Sequence, residues 1–214
     1  MALDEVNKFV NRKLDNRYIA VMLDGLFFYL RRETVDKEPV IFALGIKESG
    51  EYEILGFYLT IKESHNNYKD VLEDLYRRGL KQSLLFIADG INNLDEEIMN
   101  IYPGSDFQLC TIHYIRGLKS KVKEKDLEIM DDANKMFRCN NKEEVIIRFN
   151  EFKNKWGIRR RIKTVSSFPD EDSAMKIFYL KSIEFNSRHA FRKMNGSYKC
   201  HDEIKEMFNR RYPL

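Results

Sequence analysis

The chain is poor in residues that break or staple structure. It has only 4 prolines and 10 glycines in 214 residues, which excludes collagen-like repeats and linker-like material. Three cysteines, an odd number with no repeated spacing, argue against a disulfide scaffold. No apolar run approaches the ~20 residues that a bilayer-spanning helix needs. The longest, such as Ile19 to Leu23 and Leu84 to Ala88, are far shorter, and no membrane partner is expected. The first residues, MALDEVNKF, carry no apolar signal core, so a cytoplasmic location is expected. Charge of neither sign dominates: 37 basic against 34 acidic residues leave +3, and net charge says little about partners.

What is present is an ordinary globular composition, 43% hydrophobic and 33% charged, which excludes disorder across the whole chain. The length suits one compact domain with room for an appended helical piece. The distribution of charge is more telling than its sum. Lys153, Lys155, Arg159, Arg160, Arg161 and Lys163 follow one another with no acidic residue between Lys153 and Lys163. Lys119, Lys121, Lys123 and Lys125 form a second cluster, diluted by Glu124. Such clusters suit a polyanion such as nucleic acid, and equally a solvated helix face.

The pattern of elements changes along the chain. Tyr18 to Asp24 is β-branched and apolar and reads as a buried strand ending at Asp24, with Gly25 and a second apolar-aromatic run, Leu26 to Leu30, after it. Val40 to Ile46 and Glu53 to Thr60 read as further strands. Tyr68, Val71, Leu72 and Leu75 sit at helical spacing before Gly79. Leu84 to Ala88 is a strand ending at Asp89-Gly90, followed by a short helix with Leu94, Ile98 and Ile101 and a short strand from Phe107 to Cys110. Beyond Thr111 the chain turns helical: 126–137 and 142–156 read as helices, and Pro169-Asp-Glu-Asp opens another.

The first strands should pair as an antiparallel meander and the later ones join through crossovers. The fold class expected is therefore α/β, a ribonuclease H-like core of mixed sheet flanked by helices, with a helical C-terminal half. In that order Asp24 and Asp89 project from neighbouring strand ends, where open α/β sheets tend to build their sites. Singly, an Asp-Gly after a strand is usually a turn. Two carboxylates brought together repel unless a divalent cation neutralises them, and Mg²⁺ or Mn²⁺ prefers such oxygen ligands. Two such ions can activate water and stabilise a leaving oxygen in phosphodiester chemistry.

Leu14 to Gly25, Ala43 to Ile46, Glu53 to Phe57, Leu72 to Leu75 with Arg78-Gly79-Leu80, Ile87 to Gly90, Tyr102-Pro103, Gln108 to Arg116, and Arg159 to Lys163 with Ser167-Phe-Pro169 together resemble the catalytic region of Mutator-type insertion-sequence transposases. The resemblance covers nearly the whole chain in the family's order. It implies a DDE-type recombinase with a ribonuclease H-like core, a helical insertion and Mg²⁺-dependent strand transfer on DNA. It makes Asp24 and Asp89 the first two metal-binding aspartates, and Cys110 and His113 the family's C-x2-H signature. Read from spacing alone, Cys110-x-x-His113 is half of a zinc site. Cys139 stands alone, and Cys200-His201 are adjacent, so no second ligand pair has suitable spacing.

The sequence departs from the family in two ways. With only about two dozen residues ahead of Asp24, the family's long N-terminal region that recognises terminal repeats is expected to be missing. The family's third acidic residue lies in a T-T-N-x-I-E-x-x-N stretch that does not occur; Trp156-Gly157 runs directly into Ile158 and Arg159 to Arg161, as if an internal segment were deleted. Glu151 lies within one residue of the glutamate's counted position, but one residue is about 100° of rotation on a helix. Three segments are expected: 1–110 as the core carrying Asp24 and Asp89, 111–157 as an insertion remnant, and 158–214 as a basic segment with C-terminal helices. The partners implied are DNA at element ends and target, with a second copy or an intact transposase. The functions in competition are an impaired DDE-type transposase core, a non-catalytic DNA-binding or transposase-pairing relic, and a ribonuclease H-like nuclease.

Overall fold

The computed structural model describes residues 3–31, 35–60, 65–120, 127–139, 142–156, 167–168, 186, 193–194 and 197–213. The chain divides into two compact units, 1–108 together with 165–214, and 109–164.

The first unit is a mixed sheet with helices on both faces. It opens with α1 (Leu3–Val10), followed by β1 (Arg17–Arg31), β2 (Val35–Ile46) and β3 (Tyr52–Leu59). Next come α2 (His65–Arg77), β4 (Gln82–Ala88), α3 (Leu94–Ile101) and β5 (Asp106–Leu109). The strand order is β3-β2-β1-β4-β5, with β6 (Ser167–Phe168) pairing separately on β1. β1 and β2 are antiparallel, as are β2 and β3, whereas β4 runs parallel to β1. The expected meander and crossover are thus both present, in a mixed α/β sheet.

β1 differs from the sequence expectation. It does not end at Asp24 but runs on to Arg31, because β2 pairs with it residue for residue from Ala20↔Ile46 to Arg31↔Val35. Gly25 lies opposite Ile41 within that ladder. The two apolar runs separated by Gly25 are therefore one strand, and a ladder partner on one edge carries the backbone through the glycine. The parallel partner stops earlier: the last β1–β4 pair is Leu23↔Ala88. The strand end that matters is that of β4.

Alternation sorts the sheet's side chains between two cores. Val21, Leu23, Ile41, Ala43, Phe86 and Ala88 pack with Tyr68, Val71, Leu72 and Leu75 of α2 and Leu94 and Ile98 of α3. On the opposite face Phe28, Val40, Ile54 and Phe57 pack with Val6 and Phe9 of α1. α1 was not anticipated from the sequence. It is a short helix with Asp4 and Glu5 in its first turn and Lys8 in its last, which suits the helix dipole. Gly79, at φ +122°, ends the α2 region, where an added Cβ would meet the Leu14 carbonyl oxygen at 2.8 Å. Glycine there is required twice, by the backbone angle and by the close approach.

α7 (His201–Arg211), within the segment expected to carry C-terminal helices, closes the unit by packing Ile204 and Phe208 on Leu84 of β4. The Tyr212 hydroxyl donates to the Ser83 carbonyl (2.6 Å), and Arg211 reaches Leu84 O (3.0 Å) and the Asp106 carboxylate (2.7 Å).

The second unit is helical: α4 (Thr111–Lys119), α5 (Glu128–Met136) and α6 (Lys142–Trp156). α6 has the bounds read from the sequence. Ile129, Ala133 and Met136 recur at i, i+4 and i+7 along α5 and pack with Leu118 and Phe152. The helix expected from Pro169 lies outside the described residues.

Candidate active site

Asp24 and Asp89 both lie just past the last residue pair of β1 and β4. That pair is Leu23↔Ala88, and each aspartate follows it by one residue. Asp24 alternates away from Leu23 and lies across from Phe42, on the face of the sheet that α1 covers. It is half-buried, with its Oδ1 enclosed. Asp89 is exposed, and its Oδ1 accepts a hydrogen bond from Gly90 N (2.8 Å). One carboxylate is thus set into the sheet and the other stands at the rim.

Glu151 has a different setting. It lies on α6 in the helical unit, its carboxylate 60% exposed and 3.1 Å from the Arg148 guanidinium. Among the described residues no group of three or more histidines, cysteines and acidic residues is disposed to hold a metal ion. Cys110 immediately precedes α4, and His113 lies in its first turn with Nδ1 enclosed. All three cysteines are free thiols.

Of the basic run, Lys155 donates to Glu128 (2.7 Å) and Asp132 (2.8 Å) of α5. These carboxylates hold its pKa above the ordinary lysine value. Its charge is therefore spent inside the helical unit. Lys153 lies in α6, whereas Arg159, Arg160, Arg161 and Lys163 lie outside the described residues.

The residue profile of the family described as "Transposase, Mutator family" matches residues 2–158. The chain belongs to the Mutator family of transposases. The transposase for insertion sequence element IS905 of Lactococcus lactis is 31% identical over 176 residues, 82% of this chain and 45% of that protein. The transposase for IS1201 of Lactobacillus helveticus is 29% identical over 178 residues, 83% of this chain and 48% of that one. This Mutator-family chain therefore spans a little under half the length of those relatives. A chain of the simian T-cell lymphotropic virus intasome, solved in complex with PP2A regulatory subunit B56 gamma, aligns over 73% of this chain and 56% of its own. At 6% identity and a TM-score of 0.31 the likeness is too slight to carry an argument.

Sequence reasoning missed the polar clasp that braces the sheet of this Mutator-family chain. The Arg12 guanidinium, stacked on Phe9, donates to Glu53 (2.8 Å) and to the carbonyls of Ile54 (2.6 Å) and Leu55 (3.2 Å). The buried Arg78 donates to the carbonyls of Leu55 (2.7 Å) and Arg12 (3.0 Å) and to the Tyr58 hydroxyl (3.2 Å). Burial alone would raise the Glu53 pKa. The Arg12 hydrogen bond and the Lys47 ammonium outweigh it and hold the group below the usual carboxylate range. Tyr18, whose hydroxyl donates to Glu53 (3.0 Å), is pushed well above the usual phenol range by burial and by that carboxylate. Arg12 and Arg78 are ordinary charged residues in the sequence; only the chain reversal that brings α1 onto β3 makes them partners.

Proposed function

We propose that the chain is the catalytic core of a DDE-type DNA transposase, in which Asp24 and Asp89 together hold Mg²⁺ or Mn²⁺ for phosphodiester cleavage. The observation that carries this reading is the β1–β4 register, one step beyond Leu23↔Ala88. The strand order β3-β2-β1-β4-β5, with β2 antiparallel and β4 parallel to β1, supports a ribonuclease H-like core. The donor set fits the cation: two carboxylates and no sulfur or imidazole suit a hard divalent ion that keeps several waters. When bound, such ions lower the pKa of water and stabilise charge on the leaving oxygen. The chain's own contribution is positional. Asp24 is fixed by the β1–β2 ladder, and Asp89 is held at its turn by the Gly90 amide. DNA at element ends and target is the substrate, and a second copy or intact transposase the protein partner.

The reading includes impaired strand transfer. Two ions must be fixed for in-line displacement, and misplacement by 1 Å costs about 10²-fold in rate. Glu151, engaged by Arg148, is the only sequence candidate for a third acidic ligand. That pairing favours the second reading, a DNA-binding or transposase-pairing relic without catalysis. The test is Mg²⁺- or Mn²⁺-dependent cleavage of duplex DNA taken from the genomic flanks of the coding sequence. Slow cleavage abolished by Asp24→Asn and by Asp89→Asn, and unchanged by Glu151→Gln, is the expected result. Cleavage indifferent to Asp24→Asn contradicts the reading, and none in the wild type leaves the relic.

A further inference from the structure

We propose that α6 is the helix through which two copies of this chain associate, packing antiparallel through Val145, Ile146 and Phe149, with Glu143 of each copy set against Lys153 of the other. The inference takes up the second copy that the functional reading counts among the partners and gives it a surface, independent of the metal chemistry.

The first observation is which faces α6 turns where. Val145, Ile146, Ile147, Phe149 and Phe152 fall within eight residues, yet of these only Phe152 is buried. The cleft between α5 and α6 is lined by Asp132 and Lys135 of α5 and by Arg148, Glu151, Phe152 and Lys155 of α6. Lys155 bridges it to Glu128 and Asp132, and Arg148 pairs with Glu151 along α6. At about 100° per residue, those four α6 residues centre about 120° away from the face formed by Val145, Ile146 and Phe149. That face is 40%, 50% and 49% exposed at its three residues. A surface helix ordinarily turns its apolar stripe to the core and its charges to water. Here three of the four residues meeting α5 are charged and the apolar face looks outward, which marks a surface kept for a partner.

The second observation is the charge beside that face, which identifies the partner. Glu143 and Lys153 stand ten residues apart in α6. By helical spacing both positions lie within about 60° of Ile146, on one flank of the stripe. A two-fold axis perpendicular to the helix at the level of residue 148 reverses one α6 against another. It sets Glu143 of each copy level with Lys153 of the other, on the same flank, and Phe149 alongside Ile146 and Val145 of the opposite copy. The face is thus complementary to itself, as an isologous contact requires. A parallel pairing would set like charges level, and a helix of one sign from another protein would satisfy only one end. With one 15-residue helix from each copy, the contact is smaller than the roughly 800 Å² per partner of a standard interface, so the dimer is weak and concentration-dependent.

The experiment is sedimentation velocity of the full chain, without nucleic acid, at about 1–300 µM protein, which brackets the range of weak complexes. The wild type is expected to move from monomer to dimer across that range. Ile146→Ser with Phe149→Ser should raise the dissociation constant about tenfold or more. Both side chains are already half exposed, so the fold should hold, and circular dichroism checks this. Ile147→Ser is the control: it is 58% exposed but lies about 150° from the centre of the face, and it should change nothing. Charge reversal tests the arrangement. Glu143→Lys and Lys153→Glu should each weaken association, and the two together in one chain should restore it. A chain that stays monomeric throughout, a dimer indifferent to the Ile146 and Phe149 changes, an equal loss from Ile147→Ser, or no recovery in the double reversal overturns the inference. If the chain is monomeric and metal-dependent cleavage still responds to Asp24→Asn, the catalytic reading stands without this inference. A dimer of the expected behaviour without cleavage leaves the inference standing without that reading.

Discussion

Arg78 shows how much one side chain carries in this molecule. Its guanidinium is 3% exposed and ties α2 to the carbonyls of Leu55 and Arg12 and to Tyr58 and Asp74. Removing one partner of a buried charged network leaves the rest uncompensated, so Arg78→Ala should lower stability by about 3 kcal/mol in urea unfolding. Glu53 makes a second case with a defined sign. Its folded pKa lies below the ordinary value of 4.5 because Arg12 and Lys47 outweigh burial. Its contribution is therefore present above about pH 4.5 and is lost as pH falls through the folded value. Unfolding midpoints between pH 3 and 6 should drop more steeply for the wild type than for Glu53→Gln. Equal slopes would mean that the carboxylate gains nothing from its partners. Neither residue was legible in the sequence as a partner of the other elements. The apolar runs that precede Asp24 and Asp89 were legible as strands, and they pair as β1 and β4.

At the scale of elements, patterning was legible where one periodicity held and illegible where tertiary pairing overrode it. α6 has the bounds its sequence suggests, and β3 and β4 lie within a residue or two of theirs. β1 does not, since Gly25 reads locally as a break while β2 supplies a partner on either side of it. α1 was missed because it is short and its burial depends on a sheet surface distant in sequence, and α7 packs on such a surface too. That dependence makes α7 testable. Phe208 is fully buried against Leu84, Arg17 lies over its ring at 5.2 Å, and the Tyr212 hydroxyl bonds the Ser83 carbonyl. Phe208→Ala should cost about 3–4 kcal/mol, and hydrogen exchange should show β4 amides losing protection. Protection unchanged along β4 would show that the helix merely rests on the sheet. In the helical unit Lys155→Ala should lower the melting temperature only slightly, because exposed, solvent-screened ion pairs contribute little.

At the scale of the whole molecule, the Mutator-family chain combines a mixed sheet, in which Asp24 and Asp89 each follow the last β1–β4 pair by one residue, with a helical unit that comprises, among the described residues, α4, α5 and α6. No described helix is long and apolar enough to cross a membrane. The family is shared with relatives about twice as long, and the account of activity rests on the β1–β4 register alone. It is tested most directly by Mn²⁺ binding, followed by electron paramagnetic resonance of the free ion, in the wild type and the two aspartate variants. The account predicts a saturable site in the wild type that weakens at least tenfold in Asp24→Asn and likewise in Asp89→Asn, with thermal stability retained. Binding that survives either substitution unchanged would show that the two carboxylates do not share an ion, and would contradict it.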